Sequence, residues 1–214
     1  TALSGDVCDN AGITGFERSQ DMQLTFPTIL TLLRIALVPV LVIVFYLPYD
    51  WSNIVCVVVF VVAAVTDIAD GAIARSTGQT SRFGAFLDPV ADKIMVTTAL
   101  VLLVQRQETR EIVFAIAAAI IIGREITISA LREWMSEIGE RARVKVSWVG
   151  KVKTIFQMTA IGFLLYREDL AWIPVMLIGE LLLYTAAVLT LWSMGSYLRS
   201  AWPVIVSPKQ GPKG

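Results

Sequence analysis

Asp67-Ile68-Ala69-Asp70-Gly71-Ala72-Ile73-Ala74-Arg75, then eight residues, then Gly84-Ala85-Phe86-Leu87-Asp88-Pro89-Val90-Ala91-Asp92 is the stretch whose reading decides the fold. Asp67 and Asp70 are three apart, and Asp88 and Asp92 are four apart. On helices each pair shares a face. Both pairs adjoin long apolar runs, at the facing ends of two consecutive segments. A carboxylate at the bilayer centre costs roughly 3 kcal/mol on insertion scales, so four facing lipid would cost on the order of 10 kcal/mol. They are expected to face one another, water or a cation.

Outward from this motif the chain is a series of apolar runs. A span needs about 20 residues, and six are read, at 29–48, 53–75, 83–105, 111–135, 148–166 and 173–198. The chain is 56% hydrophobic, against about 45–50% for ordinary soluble domains. Its mean hydropathy is +0.68. Trp51, Trp134, Trp148, Trp172 and Trp202 fall near proposed span ends, where an aromatic belt would put them. The expected fold is an all-α integral membrane protein of six transmembrane helices with a cytoplasm-facing polar cavity. Residues 1–21 read as a polar leader or an expression-derived remnant, 22–202 as the six-helix catalytic domain, and 203–214 as a cytoplasmic tail.

Charge sets the orientation. With both termini on one side, only Arg106, Arg110 and Arg167 of the 18 basic residues fall on the other. The positive-inside rule then puts both termini and the aspartate motif in the cytoplasm. Formal net charge is zero, so no global polyanion-binding surface and no nucleic-acid partner is read. The chain has no histidine, which removes the commonest general base and excludes Ser-His and Cys-His nucleophile pairs. Cys8 and Cys56 lie in unlike segments and argue no disulfide framework.

A short connection between the two segments lets the aspartate pairs converge. Four carboxylates repel one another unless cations or protons intervene. Oxygen ligands without His or Cys suit Mg²⁺, Mn²⁺ or Ca²⁺, and Mg²⁺ commonly joins a few carboxylates to substrate phosphates. Gly71 and Ala74 lie one and two turns from Asp67 on its face, where small residues admit a bulky ligand. Arg75 can fork onto a phosphate. The EF-hand pattern is absent. The bland alternative is a set of interhelical polar contacts.

With every fixed position filled, Asp67 to Asp92 resembles the signature of the CDP-alcohol phosphatidyltransferase family. The resemblance implies the six-helix fold of that family, a homodimer, and divalent cofactors: two Mg²⁺ or Mn²⁺ ions held by Asp67, Asp70, Asp88 and Asp92. It implies that the CDP part of a lipid donor binds around Asp67, Asp70, Gly71, Ala74 and Arg75, with Gly84 and Thr31 beside them. It makes Asp92 the general base. The flanks narrow the branch. Pro27 to Arg34, Thr80 to Lys93, Ile128 to Trp134 and Val146 to Thr154 are similar to the bacterial phosphatidylglycerophosphate synthases. That similarity covers residues 22 to about 200. It implies CDP-diacylglycerol and sn-glycerol 3-phosphate as substrates and the bacterial inner membrane as the location, with membrane lipids around the chain.

The acceptor side is read from the residues. Arg124, Ile128, Leu131 and Arg132 follow i, i+4, i+7, i+8, so both arginines share a face. Lys151 and Lys153 open the next span. A cationic cluster beside an anionic metal site suits a phosphorylated acceptor, and Arg124, Lys151, Lys153 and Arg132 are its candidates. Arg124 could instead pair with Glu125 or an aspartate. Arg141, Arg143 and Lys145 read as a solvated loop near lipid headgroups. Two other functions compete: a family member using inositol phosphate, serine or phosphatidylglycerol as acceptor, and a transporter with an acidic relay.

Overall fold

A computed structural model of the chain describes residues 26–77, 82–106, 111–138, 148–169 and 172–206. Six helices account for nearly all of them: α1 (Phe26–Phe45), α2 (Trp51–Thr77), α3 (Arg82–Gln105), α4 (Glu111–Glu137), α5 (Trp148–Tyr166) and α6 (Val175–Val206). Each coincides with one of the six apolar runs. Three helices hold stretches long and apolar enough to cross a membrane: Trp51–Ala69, Ile112–Glu137 and Val175–Pro203. The apolar parts of the other three, Ile29–Phe45, Lys93–Gln105 and Val152–Tyr166, are shorter. The shortening has a chemical cause in α3 and α5, which open with Asp88, Asp92 and Lys93 and with Lys151 and Lys153.

The helix ends follow local chemistry. Pro48 lies just beyond α1, and a proline removes an amide donor that helix continuation needs. After α5 the backbone turns at Arg167, which takes φ 65° while its amide donates to Phe163 O at 3.1 Å. A non-glycine residue in that region is uncommon. Asp169 then accepts from the amide of Val175 at 3.0 Å, satisfying one of the free donors that open α6.

Helices α1, α2 and α3 pack together, α4 packs on α6 and α3, and α5 lies between α6 and α2. Alanine marks the buried seams: Ala63, Ala99, Ala118, Ala160 and Ala186 are all buried. Small residues let helix backbones approach, which is how helices associate where lipid supplies no hydrophobic drive. Gly179 serves the α5–α6 contact in the same way. A Cβ there would lie 2.9 Å from Leu164 Cγ.

The outside is aliphatic and the inside carries charge. Ile43, Val58, Val65, Ile112, Val188 and Trp192 are exposed, Trp192 at 75%, whereas Arg34, Arg124 and Lys153 are buried. An aliphatic exterior of this kind suits lipid, and the buried charges must find partners within the bundle. At the α3 C-terminal end, Arg106 lies 4.6 Å over the Phe45 ring and donates to Asn53 Oδ1 at 3.3 Å. Tyr46 donates to Gln105 beside it. These contacts tie the α1–α2 turn to the end of α3.

Candidate functional site

The motif residues sit where the helices put them. Asp67, Asp70, Gly71, Ala74 and Arg75 fall on the C-terminal part of α2, and Gly84, Asp88 and Asp92 on the first part of α3. The side chain of Asp67 is described, and it is half-exposed. The side chains of Asp70, Arg75, Asp88, Asp92 and Lys151, and the surroundings of Gly71, Ala74 and Gly84, lie outside the described residues. Among the described residues no group of three acidic, cysteine or histidine side chains gathers.

Asp67 has a partner that the linear motif does not contain. Arg34 Nη1 lies 2.8 Å from Asp67 Oδ1. Arg34 belongs to α1, is 1% exposed, and stands one turn after the fully buried Thr31. An arginine this deep must be compensated. The pair therefore orients the first aspartate of the motif, while the half-exposed carboxylate keeps access to a further ligand. Four carboxylates with neither His nor Cys among them remain a donor set that fits a hard divalent cation.

A second set of charges lies on α4 and α5. Arg124 Nη1 approaches Glu125 Oε1 at 3.3 Å, and Lys153 donates to the same oxygen from α5. Arg124 Nη2 donates to Ser193 Oγ on α6 at 3.3 Å, and the Ser193 hydroxyl in turn donates to Thr190 O at 3.0 Å. Arg132 Nη2 donates to Tyr197 Oη at 2.8 Å. Both guanidinium groups also lie over the Tyr197 ring, at 5.6 Å for Arg124 and 5.3 Å for Arg132. The shared face expected from the i, i+8 spacing is thus present, with Ile128, Met135 and Tyr197 packed beneath it. Arg124 stands 13 residues into α4, about 20 Å along its axis at 1.5 Å per residue. A charge at that depth is placed for polar company rather than for bulk solvent.

These groups share a cavity of about 760 Å³, within the usual range for small-molecule sites. Arg124, Glu125, Arg132 and Tyr197 line one part, and Ile68 and Lys93, the sequence neighbours of Asp67 and Asp92, line another. Val96 and Met158 separate it from a small void against Arg34 and Asp67. The cavity therefore joins the sequence neighbours of two motif aspartates to the cationic cluster. Arg124 and Arg132 reach it directly, and Lys153 is held at its edge by Glu125.

Arg34, Gln157, Ser193 and Tyr197 were not among the sequence candidates, whereas Glu125 is read from the sequence as an alternative partner of Arg124, and that pair is present. Arg34 did carry a signal, as an arginine inside an apolar run. Gln157 carried a fainter one, lying one turn from Lys153 on α5. Ser193 and Tyr197 carried none.

A family model described as CDP-alcohol phosphatidyltransferase matches residues 24–192. A Yersinia pestis protein named CDP-diacylglycerol–glycerol-3-phosphate 3-phosphatidyltransferase is 54% identical over 187 residues, covering 87% of this chain and 100% of its own length. A Pectobacterium atrosepticum protein of the same name is 54% identical with the same coverage. One from Salmonella choleraesuis is 51% identical over 180 residues, covering 84% of this chain and 96% of its own. With a match from α1 well into α6 and relatives of this identity along nearly their whole length, the chain belongs to the CDP-alcohol phosphatidyltransferase family.

Proposed function

We propose that this protein transfers a phosphatidyl group from CDP-diacylglycerol to sn-glycerol 3-phosphate, giving phosphatidylglycerophosphate and CMP. The observation that carries the reading is a cavity lined both by Ile68 and Lys93, neighbours of the motif aspartates, and by Arg124, Arg132 and the Glu125 that holds Lys153. It provides for a nucleotide diphosphate at one end and a phosphorylated alcohol at the other. The relatives' name supports the choice of acceptor.

The aspartates Asp67, Asp70, Asp88 and Asp92 would hold the divalent metal, two Mg²⁺ or Mn²⁺ ions. When bound, such ions neutralise charge on a diphosphate and on its departing phosphate. The chain's own residues do the rest. Arg34 fixes Asp67 through the 2.8 Å pair. Gly71, Ala74, Gly84 and Thr31 leave room for the cytidine half of the donor, and Arg75 contacts its phosphates. Arg124, Lys151, Lys153 and Arg132 hold the acceptor phosphate, a task suited to donors that cannot accept. Asp92 takes the proton from the acceptor's terminal hydroxyl as that oxygen attacks phosphorus. Most of the rate enhancement in such a transfer comes from positioning and electrostatics.

All six helices cross the bacterial inner membrane in this reading, with both termini and the cavity mouth in the cytoplasm. The protein acts as a homodimer among membrane lipids. The shorter apolar parts of α3 and α5 suit this arrangement, because the charged residues that open these helices would then face the cytoplasm and not lipid.

An acceptor panel tests the reading. CMP release from purified protein and CDP-diacylglycerol should require glycerol 3-phosphate. Inositol phosphate, serine and phosphatidylglycerol should give none. Release with one of those three, and not with glycerol 3-phosphate, would move the protein to another branch of the family.

A further inference from the structure

Gln157 lies one turn beyond Lys153 on α5 and is 3% exposed. It lines the large cavity together with Arg124, Glu125 and Tyr197. Its Oε1 is buried, yet among the described residues none donates to it. Buried polar atoms are almost always satisfied, so an orphaned acceptor in a residue that lines a cavity has a ligand donor as its natural partner. The chemistry of that donor is restricted. An amide oxygen accepts only, and it repels phosphate and carboxylate oxygens. The neighbouring Arg124 and Lys153 donate only. The cavity therefore offers cations for an anion and, about 6 Å along α5 at 1.5 Å per residue, a neutral acceptor for a hydroxyl.

We infer that Gln157 is a specificity-determining residue that accepts a hydrogen bond from the non-reacting C2 hydroxyl of the phosphorylated alcohol. The inference rests on the glycerol 3-phosphate reading given above. The terminal hydroxyl must surrender its proton in the reaction, and a neutral amide is too weak a base to take it. The C2 hydroxyl keeps its proton and can donate throughout. It is also the group that separates glycerol 3-phosphate from a plain propanediol phosphate. A site built to bind a hydroxyl rejects an analogue that lacks it, because the buried acceptor is then left unpaired.

The test compares kcat/KM for glycerol 3-phosphate and for 3-hydroxypropyl phosphate, which lacks only the C2 hydroxyl. Wild-type protein should prefer glycerol 3-phosphate by about tenfold or more, the scale of one buried hydrogen bond. Gln157→Leu should lose that preference: the rate with glycerol 3-phosphate falls, while the rate with the analogue stays within about threefold. The KM for CDP-diacylglycerol and the melting temperature in detergent should hold. Gln157→Glu keeps accepting oxygens in place and should keep the preference whatever its absolute rate. Equal losses on both acceptors, or an unchanged preference in Gln157→Leu, would overturn the assignment. Gln157→Met, which keeps the unbranched shape, carries the same comparison should the leucine variant not fold. Wild-type protein that turns over neither acceptor would remove the reaction itself, and the role of Gln157 with it.

Discussion

Replacing Lys153 by methionine separates the two duties of the cationic cluster. The lysine is 1% exposed and its ammonium rests on Glu125, which also receives Arg124 at 3.3 Å. Methionine fills much of the volume of the lysine stem without its charge. Glu125 keeps Arg124 as a partner, so no carboxylate is stranded. Removing one partner of a buried ion pair costs about 3–5 kcal/mol when the other charge is stranded, and Arg124 at 3.3 Å from Glu125 relieves most of that cost here. The melting temperature should therefore move by only a few degrees, since about 1 kcal/mol corresponds to roughly 2–4 °C in a chain of this size. Activity should respond far more. A charge-assisted contact to the acceptor phosphate is worth roughly 1.5–3 kcal/mol, which is a loss of about 10- to 150-fold in kcat/KM for glycerol 3-phosphate. If the contact already exists before reaction, most of the loss appears in the acceptor KM. Steady-state kinetics in mixed micelles, varying each substrate at saturation of the other, give both numbers. A folded Lys153→Met protein with unchanged acceptor kinetics, or with a raised KM for CDP-diacylglycerol alone, would refute the placement of the acceptor phosphate.

Three further outcomes are expected. Chelation with excess EDTA should abolish transfer, and Mg²⁺ or Mn²⁺ should restore it, because four carboxylates with no soft ligand suit a hard cation; full activity in EDTA would sink the metal proposal. Gly179→Val should lower stability by about 1–3 kcal/mol by overpacking against Leu164, measured as thermal unfolding in detergent, and an unaffected melting temperature would mean that α5 and α6 can part without cost. Single cysteines replacing Gln79 and Gln107 in an otherwise cysteine-free chain should be labelled from the cytoplasm and from outside respectively, and the reverse pattern would invert the proposed topology.

Hydrophobic runs revealed where the helices are better than where they stop. The run read as 148–166 has the same bounds as α5. The reading at 29–48 overshot α1, which ends at Phe45 ahead of Pro48. The reading at 173–198 fell short of α6, which continues through Arg199 and even Pro203 to Val206. Apolarity reports where lipid lies, whereas helix ends follow backbone hydrogen bonding, and the two part company near a membrane surface. The acidic motif was plain in the sequence because spacing within 26 residues is local information.

The long-range partners were not legible in this way. Asp67 meets Arg34 of another helix, and Lys153 meets Glu125, 28 positions away. Composition cannot say which of several buried charges will meet. Glu125 is read from the sequence as a partner for Arg124 alone, and its second partner, Lys153, is not foreseen. It reaches both Arg124 and Lys153 because the arginine side chain is long and α5 brings the lysine to it. Gln157 looked like an ordinary polar interruption in an apolar run, and only the cavity beside it gives its burial a meaning.

The most direct measurement follows the label from acceptor to lipid. Purified protein is incubated with CDP-diacylglycerol, Mg²⁺ and isotopically labelled glycerol 3-phosphate, and both phases are counted. The account predicts label in the organic phase as phosphatidylglycerophosphate, equimolar with CMP in the aqueous phase. CMP released without labelled lipid, or no CMP at all from folded protein, would contradict it.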